Sequence, residues 1–164
     1  MTGCKETSFL FLYGIRLEEG GSTPLLDSTH YKQLIGSLLY LTNSRPDLSY
    51  VMSVFSRFMQ EPHELHWKET KRTLHYLKGT IELGIHYFAG AQLYLISFTD
   101  PDLAGDNIDR KYTPWFVFML EYGPICWSSK NQAALALSLA KVEYRGAVNA
   151  TIQEVWLHGI LIEF

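Results

Sequence analysis

Cysteine is almost missing from this chain: Cys4 and Cys126 are the only two, and they stand far apart. That excludes a disulfide framework and a cysteine-built zinc site, and it fits a reducing compartment. Long hydrophobic runs are missing as well. The apolar stretches at 9–13, 38–41 and 115–120 fall far short of the ~18 residues a spanning helix needs, so no membrane segment is expected. An excess of either charge is also absent. Lys and Arg number 14 against 17 Asp and Glu, a net −3, and charged residues make up 19%. Neither a basic nucleic-acid tail nor an acidic solvating segment has that balance. The start lacks the marks of a secretory signal. Glu6 cancels Lys5, the apolar run is short, and Arg16, Glu18 and Glu19 follow where a small-residue cleavage site belongs. The expected setting is intracellular, cytoplasmic or nuclear.

What is present suits a folded chain. Hydrophobic residues make up 47% and aromatics 14% of the 164 residues, enough to build a core and to argue against disorder over most of the length. One domain or two small ones can be made from this length. Repeats and low-complexity tracts are absent.

Residues 1–28 read as an extended, irregular segment, with Gly20-Gly21-Ser22-Thr23-Pro24 breaking any helix. A first helix is expected after the cap candidates Asp27, Ser28 and Thr29, with Tyr31, Leu34, Ile35, Leu38, Leu39 and Leu41 at helical spacing. Asn43-Ser44-Arg45-Pro46 ends it. Asp47 can cap a second, whose buried face is Leu48, Val51, Met52, Phe55 and Met59, and Pro62 closes it. A third helix is expected from Glu64 to Lys78, stopped by Gly79. At ~100° per residue its Trp67, Thr70, Leu74 and Leu77 fall on one side. Lys68, Lys71, Arg72, His75 and Lys78 fall within an arc of ~120° on the other. A chain of near-neutral balance thus carries a local basic stripe. Such a stripe is ordinarily a solvated face, but it can also set cations along a phosphate backbone without reading bases.

Past Gly84 the period changes. Residues 85–88, 93–99, 115–121 and 125–129 are β-rich, and Tyr122-Gly123-Pro124 reads as a hairpin connection. A last long helix starts near Ser138, with Val142, Ala147, Ala150, Leu157, Ile160 and Leu161 as its apolar positions. Helices, then strands, then one helix predict an α+β fold rather than alternating βαβ units.

Two clusters invite a metal reading, and both fail on spacing. Asp100, Asp102, Gly105 and Asp106 match positions one, three, six and seven of a calcium loop. Ala104 at position five and Lys111 at position twelve do not. Turn acids explain the cluster as well. His63 and His66 are three apart at a helix start, not four apart within a helix as the zinc-protease pattern requires. Glu64 reads as a first-turn acid favoured by the helix dipole. No phosphate-binding glycine loop or nucleophile elbow is present.

An ordered set of segments resembles the C-terminal part of a plant copia-type retrotransposon Pol polyprotein. The segments are YKQLIGSLLY (31–40), SRPDLSYV (44–51), SRFMQE (56–61), HWKETKRTLHYLKGT (66–80), FTDPDLAGDNID (98–109), GPICWSSKNQ (123–132) and VEYRGAVNA (142–150). Together they cover about residues 24–164 in the family's order and spacing. The resemblance implies reverse-transcriptase thumb and connection helices over 29–90. It implies a truncated ribonuclease H-like domain over 91–164, with three antiparallel strands and one helix. That domain, in the family, cleaves the RNA of an RNA–DNA hybrid with Mg²⁺, two ions clamping one phosphodiester.

By the same resemblance Asp100 matches the first-strand Asp and Glu143 the Glu on the first helix, both as catalytic and metal-binding positions. Lys68, Lys71, Arg72 and Lys78 become candidates for weak, sequence-independent contact with an RNA–DNA hybrid or duplex. The sequence also departs from the pattern. Leu103 replaces a Trp, Tyr112-Thr113-Pro114-Trp115-Phe116 replaces Ser-Thr-Ser-Gly-Tyr, and Lys141 stands where an acid precedes the Glu. Pro114 would remove a ladder donor from a strand.

The expectation is therefore a Pol segment without catalysis of its own. A domesticated nucleic-acid-binding or scaffold protein is the alternative, and a residual Mg²⁺-dependent nuclease the third reading. A sheet of three strands leaves an open edge, and the run 115–120 is uncharged and β-prone. The C-terminal half is accordingly expected to be the less stable one, and to leave Trp156, Leu157 and Leu161 short of packing surface.

Overall fold

A computed structural model describes residues 5–10, 17, 23–24, 27–90, 94–102, 113–129 and 139–163. The chain divides into two compact units, Met1–Gly84 and Ile85–Phe164, and it is mixed α and β as expected.

In the first unit, helix α1 spans Thr29–Leu41. Its Tyr31, Ile35 and Leu38 recur at four- and three-residue steps and are buried, which is how one apolar stripe reaches a core. Ser28 is the N-cap residue but makes no side-chain cap bond. The carboxylate of Asp27 takes that task, accepting from the Thr29 amide at 2.7 Å. A short 3-10 turn, Pro46–Leu48, carries proline at its start, where the missing N–H costs nothing. Helix α2, Ser49–Ser56, buries Val51, Met52 and Phe55. It stops short of the expected Pro62 because the chain tightens. Phe58 and Met59 donate three residues back, to Phe55 and Ser56, a common way for a helix to close its last carbonyls.

Tyr31, Ile35, Leu38, Leu48, Val51, Met52 and Phe55 form one cluster that also takes in Leu17. Each full burial of such a side chain is worth about 1.5–3 kcal/mol before the entropy of ordering it. The phenol of Tyr31 donates to the Phe55 carbonyl at 2.9 Å within that cluster.

Helix α3 spans Glu64–Gly79, ending where the sequence places the stop. Its C-terminal end is fastened by Arg45. That guanidinium grips Asp47 with two bonds of 2.8 and 3.0 Å and donates to the Thr80 hydroxyl at 2.9 Å. Tyr76 donates to the same Asp47 at 2.9 Å. Burial works to raise the Asp47 carboxyl, but the bonds from Arg45 and Tyr76 outweigh it and hold the group below its usual range.

In the second unit, strands β1 (Leu95–Asp102), β2 (Thr113–Leu120) and β3 (Gly123–Ser129) form an antiparallel sheet in the order β1-β2-β3. Glu121 and Tyr122 connect β2 to β3, and Glu121 takes a left-handed backbone, φ 54°. Residues 85–88, expected to be strand-like, are not a strand. Their aromatics pack on the hairpin instead. Tyr87 donates to the Pro124 carbonyl at 2.6 Å, and its ring lies where a Cβ on Gly123 would sit, 2.5 Å away. Only glycine fits there. Pro114 faces Pro101 near the end of the β1–β2 pairing, where a lost donor matters least. The uncharged 115–120 run is part of the central strand, paired on both sides.

Helix α4, Leu139–Glu163, packs on β1 and β2; Ser138 lies outside the described residues. Ala150 and Leu157 close with Phe118 over Leu95, Phe116, Ile125 and Cys126. Leu161 is half-buried, whereas Trp156 is 58% exposed and Ala147 is also exposed. No helix among the described residues is long and apolar enough to cross a membrane.

Candidate nucleic-acid interface

The basic stripe and the strand-end acids fall in different units. Asp100 pairs with Trp115 in the register of β1 and β2. Ile96 and Phe98 of the same strand are exposed, while Phe116 and Phe118 of β2 pack towards α4. Glu143 sits in the second turn of α4. The side chains of Asp100, Asp102, Lys141 and Glu143 lie outside the described ones, as do residues 103–112 altogether, with Asp106, Asp109 and Lys111. Among the described residues no group of three or more His, Cys, Asp or Glu side chains could hold a metal ion.

Helix α3 is fully described and carries the stripe. Its start is built by two histidines. The His63 side chain accepts from the backbone N–H of His66, and His66 Nδ1 accepts from the His63 amide at 3.0 Å. This is a capping box made with imidazoles, a role the sequence does not advertise. The His66 ring stacks on Phe58 at 3.9 Å between centroids. Its burial, with the charge of His63 adding to the effect, pushes its pKa down to about 4.

The core-facing side of α3 is more polar than its apolar spacing predicts. His66, Glu69, Thr70 and Thr73 are buried, while Trp67, Leu74 and Leu77 are half-buried. Trp67 packs at the margin of the core and has a second role. The Lys71 ammonium rests over its ring, 4.5 Å from the centroid, a cation–π contact one helical turn along.

Lys68, Lys71, Arg72 and His75 are brought together on one open groove of about 480 Å³. Its other wall is the N-terminal segment, with Lys5, Glu6 and Thr7. The Thr7 amide donates to the His75 carbonyl at 3.4 Å, and Glu6 pairs with Lys78 at 3.5 Å. Gly79 allows this approach: a Cβ there would stand 3.2 Å from the Thr7 carbonyl oxygen. Lys78 is thus part of the stripe in sequence but is engaged by an acid in space.

Glu69 is the residue that sequence reasoning missed. It lies between Lys68 and Thr70, lines the groove, and is only 3% exposed. Its Oε2 has no hydrogen-bond partner among the described residues, nor has the buried Nε of Arg72. An acid among cations on a helix reads as surface, so only the fold could reveal its burial.

Comparisons with known proteins give consistent relatives. The chain is 40% identical over 141 residues to the retrovirus-related Pol polyprotein from transposon RE2 of Arabidopsis thaliana, covering 86% of this chain and 10% of that protein. It is 37% identical over 134 residues to the corresponding polyprotein from transposon TNT 1-94 of Nicotiana tabacum, again 10% of its length. It is also 36% identical over 128 residues to the secreted RxLR effector protein 161 of Plasmopara viticola, of which it covers 90%. The chain thus spans about a tenth of the Pol polyproteins it matches. No family model and no solved structure matches it.

Proposed function

Because the chain belongs to the retrovirus-related Pol polyproteins of copia-type retrotransposons, we propose that it is their thumb–connection helices followed by a ribonuclease H-like sheet. Its role is to hold nucleic acid rather than to cut it. The observation that carries this reading is the convergence of Lys68, Lys71 and Arg72 on one groove of α3. Ammonium and guanidinium groups on a rigid helix attract phosphates of any sequence and release counterions as they bind. Cutting would need acids that converge on two metal ions. The family resemblance supplies two, Asp100 and Glu143, with the cationic Lys141 two residues before the second.

Fluorescence anisotropy with a labelled RNA–DNA hybrid tests the reading. Binding is expected to be weak, indifferent to sequence, and weaker as salt rises. Affinity that ignores salt would remove the phosphate contacts from the account.

A second reading, a stand-alone non-catalytic nucleic-acid-binding or scaffold protein, is favoured by the effector relative, of which this chain covers 90%. The two readings part on one measurement. As a stand-alone protein, the chain binds hybrid as tightly as a longer Pol segment that contains it. As a Pol region, it needs that longer segment for full affinity.

A further inference from the structure

The groove on α3 has a chemistry that phosphate binding alone does not explain. Four of its lining side chains, Lys5, Lys68, Lys71 and Arg72, are cationic, and the Nε of Arg72 is buried without an acceptor. Yet one wall of it is Glu69, buried, with an oxygen that has no donor among the described residues. A buried carboxylate oxygen without a donor is costly, and beside a phosphodiester it is also repulsive. It becomes favourable when the ligand brings a hydrogen-bond donor next to its phosphates. A DNA backbone brings none, since its phosphate, ester and ring oxygens only accept. An RNA backbone brings the ribose 2′-hydroxyl at every residue.

Size narrows the occupant further. A volume of about 480 Å³ lies within the ~300–1,000 Å³ that encloses a compact ligand. It takes a short stretch of one strand, whether that strand is alone or part of a duplex. The second wall matters for this. Thr7 bonded to His75 keeps residues 5–7 along the helix, so the stripe becomes a groove.

Resting on the nucleic-acid reading above, we propose that this groove holds the backbone of one RNA strand. Lys68, Lys71 and Arg72 meet phosphate oxygens, and Glu69 accepts from a ribose 2′-hydroxyl. Glu69 is then what separates RNA from DNA at this site.

The test uses the full chain and two labelled single strands of equal length, oligo(U) and oligo(dU), which differ only at the 2′ position. Oligo(U) is expected to bind about tenfold more tightly, the effect of one charge-assisted hydrogen bond at the low end of its range. Glu69→Ala is expected to strengthen oligo(dU) binding and to abolish the difference between the strands. Glu69→Gln, which keeps an acceptor oxygen, is expected to retain part of it. Should Glu69→Ala fail to fold, as circular dichroism would report, the wild-type comparison and Glu69→Gln still decide. Equal, salt-sensitive binding of both strands by the wild type would overturn this assignment while leaving the phosphate contacts standing. Absence of binding to either strand would overturn both.

Discussion

Tyr31 and Phe55 are joined by a buried hydrogen bond of 2.9 Å from the phenol of α1 to the last-turn carbonyl of α2. Burial pushes the phenol up to about 12, so it stays protonated and the bond persists across the ordinary pH range. Tyr31→Phe leaves that carbonyl other donors, the amides of Arg57 and Phe58 among them. Its expected cost is therefore a modest ~1 kcal/mol, read as a lower urea midpoint with an unchanged slope. No change in midpoint would mean that the hydroxyl contributes nothing net to the core.

The His63–His66 cap makes stability depend on pH. The folded-state pKa of His66, about 4, lies below its ordinary value of 6.5, so the unfolded chain binds the extra proton first. The contribution is complete above pH 6.5, declines as pH falls below it, and is exhausted near pH 4. Thermal melts of wild type against His66→Gln should show a steeper loss for the wild type across that window. Parallel curves would refute the burial of a neutral imidazole.

Glu6 competes for the stripe by pairing with Lys78. Glu6→Gln keeps a polar side chain on the groove wall and removes its charge. Affinity for hybrid should rise about threefold, in keeping with an exposed pair of small worth. Unchanged or weaker binding would show that the acid does not screen the stripe.

Incubated with an RNA–DNA hybrid in Mg²⁺, the chain is expected to leave the RNA intact. Metal-dependent cleavage that disappears in both Asp100→Asn and Glu143→Gln would instead make the nuclease reading correct.

Much of the helical unit is legible in the sequence because its apolar spacing is regular. Tyr31, Ile35 and Leu38, then Val51, Met52 and Phe55, are buried as their period requires. The three long strands emerge within two or three residues of their expected ends. What is hidden are residues whose type misleads. Tyr87 is β-prone, yet it is used as a ring against a glycine turn. Trp67 packs against the core as its spacing predicts, but its second use, as a platform for Lys71, is not visible in the sequence. Thr73 and Glu69 look solvated and are buried, because periodicity marks which apolar groups can face inward but not which polar groups a close neighbour will cover. The stripe itself was visible as an arc of charge. Its second wall was not, since nothing local ties Thr7 to His75.

The central claim is that α3 meets phosphates through its cations, and the salt slope of hybrid binding measures this directly. Each phosphate contact contributes ~0.9 to the slope of log affinity against log salt on duplex DNA. Changing Lys68, Lys71, Arg72 and Lys78 together to Gln should lower the slope by about 3 and weaken binding at low salt, with the helical circular dichroism retained. A folded quadruple variant with the wild-type slope would contradict the account and return the stripe to a solvated face.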